Sequence, residues 1–514
     1  MSEGPRGSLD YPDWPLHRFV QNAADEAPEQ VVLRFDEEVL TYGELDVAGN
    51  RLALALRYAG IKLGDRVLLL SANRTGWLIA QHGVSVAGAA SVLGNSSWKS
   101  QELAHAISLT NPVAVIADAA SAAVVEQCGA AIALRICFDD VTYPGWRPFD
   151  QFTAGAPASR PTEWVVDPAT TEALLPFSSG TTGMPKAVRH SHGGLVIASF
   201  QRVDAWKFTD QDRIQYFMAL FTIFGVLVTT ATFAARASMR LFRRFDPVTA
   251  LRNMADERIT FGFAAAPVAV ALRDCDDLET YDLSSVRFLM WGATPIVPEI
   301  AESVTARTGV RWLGAYATTE IGLTSNPAED PQACRIDTPG LALADTDIRI
   351  VDPDTGAEMP TGERGEIVAR SPSVMLGYLP EADNEGAFYP GGWYRTGDIG
   401  WIEPDGWVHV TDRLKDMIKV SGFAVAPAEI ERTLFLHPAV ADCAVYGVPD
   451  ATRGEAPKAA VVVAPGVTVD ASALIAFVAE HLATYKHLRD VAFVDAIPRN
   501  AAGKVLRRVL REGS

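Results

Sequence analysis

The chain has 514 residues, 48% hydrophobic and 21% charged, which exceeds what one hydrophobic core usually supports and excludes a disordered protein. Its 45 Lys and Arg against 63 Asp and Glu leave a formal net charge of -18, which argues against general binding of nucleic acid or an acidic membrane, so anionic ligands must be held by local features. The five cysteines (Cys128, Cys137, Cys275, Cys334, Cys443) have no C-x-x-C spacing, so neither a disulfide framework nor a zinc site is expected and any metal should be oxygen-ligated.

In chain order, residues 1–8 lack a basic stretch followed by an apolar one, so no signal peptide is expected and the cytoplasm is the expected location. Thr41 and Glu44 have capping-box spacing and should open a helix through Leu52 and Leu56. The run 66–71 (RVLLLS) reads as a buried strand, residues from Ser100 (SQELAHAISL) as a helix and 113–117 (VAVIA) as a strand. This alternation predicts a layered α/β domain with largely parallel sheets. Residues 218–235 (MALFTIFGVLVTTATFAA) are uncharged and long enough to span a bilayer, but four threonines, Gly225 and the flanking elements favour a buried helix, so no integral membrane segment is expected. After about residue 335 short strands such as 347–351 and 365–369 predict a small β-rich subdomain, and a boundary is expected near Asp412. Beyond it, the strand 459–463 and helix 471–482 suffice for a small domain ending in 498–508 (PRNAAGKVLRR).

The densest chemical signal is 178–186 (SSGTTGMPK), where Ser178, Ser179, Gly180, Thr181, Thr182 and Gly183 can wrap backbone N–H groups and hydroxyls around phosphate oxygens and Lys186 supplies charge. Pro185 before that lysine and Ala187 after it exclude a Walker A loop. Taken alone, the cluster fits a flexible surface turn as well as a phosphate cradle.

The order of 178–186, then 315–320 (AYATTE), 394–398 (YRTGD), 412–416 (DRLKD) and Gly503-Lys504 resembles the adenylate-forming superfamily of acyl-CoA synthetases, peptide-synthetase adenylation domains and firefly luciferases. The resemblance spans nearly the whole chain and is greatest to a stand-alone acyl-CoA synthetase. It implies a large N-terminal adenylating domain, 1–411, of layered α/β subdomains plus the β-rich subdomain, followed by a small mobile α+β C-terminal domain, 412–514. It also implies two half-reactions: a carboxylate attacks the α-phosphorus of ATP and expels pyrophosphate, then the acyl group passes to the thiol of coenzyme A.

Under that resemblance Thr181, Thr182 and Lys186 hold the β- and γ-phosphates, Thr319 contacts the α-phosphate, and Glu320 with Thr181 binds Mg2+, an ion that prefers oxygen. Gly292, Ala293, Thr294 and Ala315 join the nucleotide site, Tyr316 stacks on adenine, and Asp398 and Arg413 serve the ribose. Lys504 is the expected catalytic cation, bridging the attacking carboxylate and the α-phosphate. Arg507, Arg508 and Arg511, at helical spacing after it, read mainly as a solvated face. Lys415 matches a hinge, and Thr222, Ser421 and Gly422 match a pantetheine tunnel. The acyl pocket is expected from Phe221, Ile223, Phe224, Trp291, Gly314, Ala315 and Leu323; with no Lys or Arg in those stretches, it suits a hydrophobic monocarboxylic acid. Trp291 hints at a shortened pocket and reads equally well as an ordinary core aromatic.

Four positions depart from the pattern. Thr222 stands where many acyl-CoA synthetases carry a histidine gate, Ala187 and Ala317 replace glycines, and Asp412 takes a position usually given to glycine. The first departure keeps open an enzyme that hands its acyl group to a carrier-protein thiol or separate ligase. A non-catalytic nucleotide- or acyl-binding protein is a third reading, opposed by retention of Lys504 and Glu320. Neither the oligomeric state nor the particular acid is legible.

Overall fold

The computed structural model describes residues 7–512 except 163, 165, 180–183, 244, 293–295, 330–332, 422, 451 and 500–503. Strands rich in Val, Leu, Ile and Phe, buried on both faces, assemble two large sheets whose centres are parallel, as continuous apolar runs dictate. In the first, Arg311–Ala317, Phe288–Trp291, Phe261–Ala264, Arg213–Tyr216, Ser238–Leu241 and Val31–Phe35 lie side by side in parallel, with antiparallel strands at both edges. In the second, Glu172–Leu175, Ala90–Leu93, Arg66–Leu70, Ala114–Ala117, Leu134–Cys137 and Trp146–Pro148 are parallel, and Pro185–Ser191 joins antiparallel.

Helices bind these sheets through one shared core. Thr41 opens the helix Tyr42–Tyr58 as expected, its hydroxyl accepting from Glu44 N at 3.2 Å while the Glu44 carboxylate accepts from Thr41 N at 2.9 Å. The uncharged run forms the buried helix Ile223–Ala234. It is tied to His192–Trp206 by a Ser199–Thr230 hydroxyl contact of 2.7 Å, in a core shared by both sheets. Among the described residues, no helix is long and apolar enough to cross a membrane.

The β-rich region forms a third, antiparallel sheet from Asp347–Val351, Gly365–Arg370, Trp393–Ile402, Phe388–Tyr389 and Val408–Arg413. Its last pairing sets Asp398 opposite Arg413. A four-residue turn, with Asp416 N and Met417 N both donating to Arg413 O at 3.0 and 3.1 Å, leads to Ile418–Val420, the first strand of a fourth sheet. That sheet carries Gly454–Val463, Val440–Asp450 and Asp490–Phe493, with the helices Pro427–Phe435 and Ala471–His481 packed beside it.

Candidate active site

A cavity of about 1290 Å3 opens where the ends of both large sheets, the third sheet and the C-terminal residues converge. At one end, Phe221, Phe224, Phe263, Met290, Trp291 and Ile296 make an apolar wall. Phe224 and Phe263 meet edge to face at 5.3 Å, and the fully buried Trp291 packs on Trp312 at 5.3 Å. At the other end stand Lys186, Tyr316, Glu320, Asp398, Arg413 and Lys504.

The polar end is an ordered network. Asp398, buried, accepts from Tyr316 OH at 2.5 Å and pairs with Arg413 Nε at 2.9 Å. Burial works against the Arg413 charge, but Asp398 and the Tyr316 oxygen hold its pKa above the usual range. Glu320, also buried, accepts from Tyr378 OH at 2.9 Å, and Tyr378 meets Tyr394 at 3.2 Å. Lys186 sits 4.7 Å over the Tyr378 ring and 3.4 Å from Asp383. His190 contacts Thr319 O through Nε2 at 2.9 Å, and burial pushes its pKa down to about 4, so at neutral pH a neutral ring donates to that carbonyl. Lys504 is half-buried, and burial followed by the nearby Arg413 lowers its pKa to about 8. Lys415 lines the cavity at the turn, its ammonium pushed down by burial and then by Arg413.

The sequence-predicted residues Ser178, Lys186, Thr222, Phe221, Ile223, Phe224, Trp291, Gly292, Ala315, Tyr316, Thr319, Glu320, Asp398, Arg413, Lys415 and Lys504 all line this one cavity. Ser179 belongs to the strand Phe177–Ser179. Gly180, Thr181, Thr182, Gly183, Ala293, Thr294 and Gly422 lie outside the described residues.

Several residues stand elsewhere. Leu323 is buried in the core under the third sheet, and Gly314 is closed in by Thr338 O, which a Cβ there would approach to 2.7 Å; neither lines the cavity. Ser421 lies at the surface, donating its N–H to Arg453 O at 2.7 Å. Thr222 caps the helix Ile223–Ala234, its hydroxyl accepting from Gly225 N at 3.1 Å and donating to Ala219 O at 2.9 Å. Gly225 admits no side chain, because a Cβ would lie 2.6 Å from Ala219 O. Arg507 corrects the reading of a solvated basic face: its side chain is only 10% exposed and its guanidinium pairs with Glu431 at 2.6 Å, while Arg508 and Arg511 are exposed.

Sequence reasoning missed Tyr378, Asp383 and His190. Tyr378 lies on Gly377–Leu379, brought to the strand Pro185–Ser191 by a long-range pairing that sets it opposite Val188.

One Glu320 oxygen accepts from Tyr378, and the carboxylate still faces the cavity, which suits a hard divalent ion that takes its remaining ligands from water and phosphate. Among the described residues, no group of three or more His, Cys, Asp and Glu side chains is placed to hold a metal unaided.

The sequence profile of the AMP-binding enzyme family matches residues 20–379, and that of the AMP-binding enzyme C-terminal domain matches residues 429–504. The chain is 33% identical over 513 residues to a 4-coumarate–CoA ligase of Oryza sativa subsp. japonica, covering 97% of this chain and 94% of that one. Among solved structures, ATP-bound MatB from Rhodopseudomonas palustris superposes with a TM-score of 0.86 at 30% identity, over 97% of this chain and 99% of that one. The amide bond synthetase McbA from Marinactinospora thermotolerans superposes with a TM-score of 0.84 at 29% identity, over 97% and 99% of the two chains.

Proposed function

The chain belongs to the AMP-binding enzyme family, and from that premise we propose that its substrate is an aromatic or similarly hydrophobic monocarboxylic acid. It is an AMP-forming acid–CoA ligase. The acid's carboxylate attacks the α-phosphorus of ATP, the bond to pyrophosphate breaks, and the CoA thiolate then attacks the acyl carbonyl and releases AMP.

The observation that carries the substrate reading is the continuity of the cavity: one space of about 1290 Å3 joins an aromatic, uncharged wall to the Asp398, Arg413 and Lys504 end. An acid seated against Phe221, Phe224, Phe263 and Trp291 directs its carboxylate toward the cations. Similarity to a 4-coumarate–CoA ligase supports an aromatic acid.

The site residues take these roles. Asp398, fixed by Tyr316 and Arg413, accepts from the ribose hydroxyls, and the half-buried ring of Tyr316 lies against adenine. Lys186 leaves Asp383 for the phosphates, with Ser178 beside it and Ser179, Gly180, Thr181, Thr182 and Gly183 completing the cradle. Gly292, Ala293, Thr294 and Ala315 complete the nucleotide site. Thr319, its carbonyl held by His190, presents its hydroxyl to the α-phosphate. Lys504 neutralises charge as it builds between carboxylate and phosphorus; its lowered pKa still leaves it mostly protonated at pH 7. Glu320, with Thr181, holds Mg2+, which when bound neutralises phosphate charge. Residues 1–411 and 412–514 act as separate domains hinged at Lys415, and rotation of the second brings Ser421 and Gly422, with Thr222 opposite, to the pantetheine arm. Five cysteines, none of them in a disulfide, fit a cytoplasmic protein.

The test is a mass-spectrometric product assay over aromatic and aliphatic acids with Mg·ATP, with and without CoA. Aromatic acyl-CoA products are expected. Equal turnover of short aliphatic acids would remove the substrate class, and acyl-AMP accumulating unchanged by CoA would move the transfer step to another acceptor.

A further inference from the structure

Lys504 can serve the first half-reaction only if its ammonium is held at the Asp398 end of the cavity, and it stands just before the short C-terminal helix Arg507–Glu512. Described residues on either side of it are anchored. Before it, Arg499 pairs with Asp442 at 2.6 Å and forms a β-bridge with Val505. After it, Arg507 starts the short helix Arg507–Glu512 and turns inward.

The environment of Arg507 is unusual for a terminal arginine. Its Nη2 lies 2.6 Å from Glu431, its Nε donates to Val445 O at 2.8 Å, and its Nη1 lies 3.7 Å from Asp416. Glu431 belongs to the helix Pro427–Phe435, and its Oε1 also accepts from Val445 N at 2.8 Å. Asp416 closes the turn whose first residue is Arg413, the partner of Asp398. Asp412, buried beside the same cluster, accepts from Ala428 N at 2.8 Å and from Arg413 N at 2.7 Å. Burial, reinforced by Glu431 and opposed by Arg507, raises its pKa to about 6. One guanidinium thus pairs with two acids from two elements, Asp416 of the turn after the third sheet and Glu431 of the first helix after it.

We propose that Arg507 is a positioning residue for the adenylation half-reaction: by gripping Glu431 and Asp416 it ties the Lys504 segment to the turn that follows Arg413, and so sets where Lys504 stands when that turn holds it at the Asp398 end of the cavity. Lys504 is linked to Asp398 along the backbone to Arg507, then through the Arg507–Asp416 pair, the Asp416 N to Arg413 O bond and the Arg413–Asp398 pair. A buried guanidinium with a planar fork suits this task, since little further entropy is lost in holding several acceptors. The inference rests on the role given to Lys504 above.

The experiment compares Arg507→Met, Glu431→Gln, Lys504→Ala and Arg507→Met/Lys504→Ala in both half-reactions, pyrophosphate exchange and thioester formation from supplied acyl-AMP, with a thermal midpoint for each. Arg507→Met is expected to slow pyrophosphate exchange by about tenfold or more, because loosened placement of a reacting group costs that much. Thioester formation should stay unchanged, and the double variant should be no slower than Lys504→Ala. Glu431→Gln, which keeps the shape of the site, should give a smaller loss of the same kind. Equal loss in both half-reactions, or losses that multiply in the double variant, would show a merely structural arginine and overturn the inference. If Lys504→Ala itself leaves pyrophosphate exchange intact, the role of Lys504 falls first; if only the Arg507 and Glu431 variants do, the inference fails alone.

Discussion

Tyr316 donates its phenolic hydrogen to Asp398 across 2.5 Å, so the ring proposed to lie against the base and the carboxylate proposed to receive the sugar are held as one unit. Neither residue is free to rotate without releasing the other. Burial and the adjacent carboxylate both raise the Tyr316 pKa, so the phenol remains a donor at any physiological pH.

Tyr316→Phe keeps the ring and removes the donor. The net worth of such a bond is about 1 kcal/mol, so the KM for ATP should rise by about fivefold with kcat little changed. Steady-state kinetics against ATP decide it; an unaltered KM would mean that Arg413 alone fixes Asp398.

Lys504 supplies a pH test. With its pKa lowered to about 8 in the free enzyme, the ammonium is present below that pH and lost above it. The kcat/KM for acyl-AMP formation should therefore fall as pH rises through about 8, well before an ordinary lysine titrates, since kcat/KM reports free-enzyme groups. Lys504→Arg stays charged throughout and should flatten that limb while lowering the plateau. An alkaline limb identical in this variant would assign the titration to another group.

Thr222 is a helix cap in the structure, and its removal should behave as one. Thr222→Ala orphans Gly225 N and should cost about 1 kcal/mol, read as a lowered chemical-denaturation midpoint. Thioester formation is expected to fall no further than about twofold. A selective loss of that step with unchanged stability would instead make Thr222 a gate to the thiol.

Trp291 closes the apolar end of the cavity while packing on Trp312. Trp291→Ala should lower stability by about 3–5 kcal/mol and shift the preference toward longer or bulkier acids. Competition between a short and a long aromatic acid measures the second effect; an unchanged ratio would make Trp291 a purely structural aromatic.

The local elements were legible because their signals are local: the Thr41–Glu44 box and the apolar run at 66–71 fall where the spacing puts them. The site was legible as motifs, and Tyr316, Glu320, Asp398, Arg413 and Lys504 do share one cavity. What escaped depends on long-range pairing. Tyr378 and Asp383 reach Lys186 only because Gly377–Leu379 adds to Pro185–Ser191, and nothing near residue 378 announces that partner. Arg507 was misread for the same reason: helical spacing does not reveal that Glu431 and Asp416 fold over it. Gly314 and Leu323 adjoin motif residues, yet their packing turns them away from the cavity.

Tyr378 touches two subsites at once, with Lys186 over its ring and Glu320 at its hydroxyl. Under the roles proposed for them, a phosphate that draws Lys186 away would disturb the side chain that occupies one lone pair of Glu320, and an ion on Glu320 would compete for that same lone pair. Thermodynamic linkage makes this exchange reciprocal: whatever the nucleotide adds to the affinity for the ion, the ion returns to the nucleotide. On those proposed roles, nucleotide and ion would enter as a single cargo, and a nucleotide arriving without its metal would meet a receptor set for both.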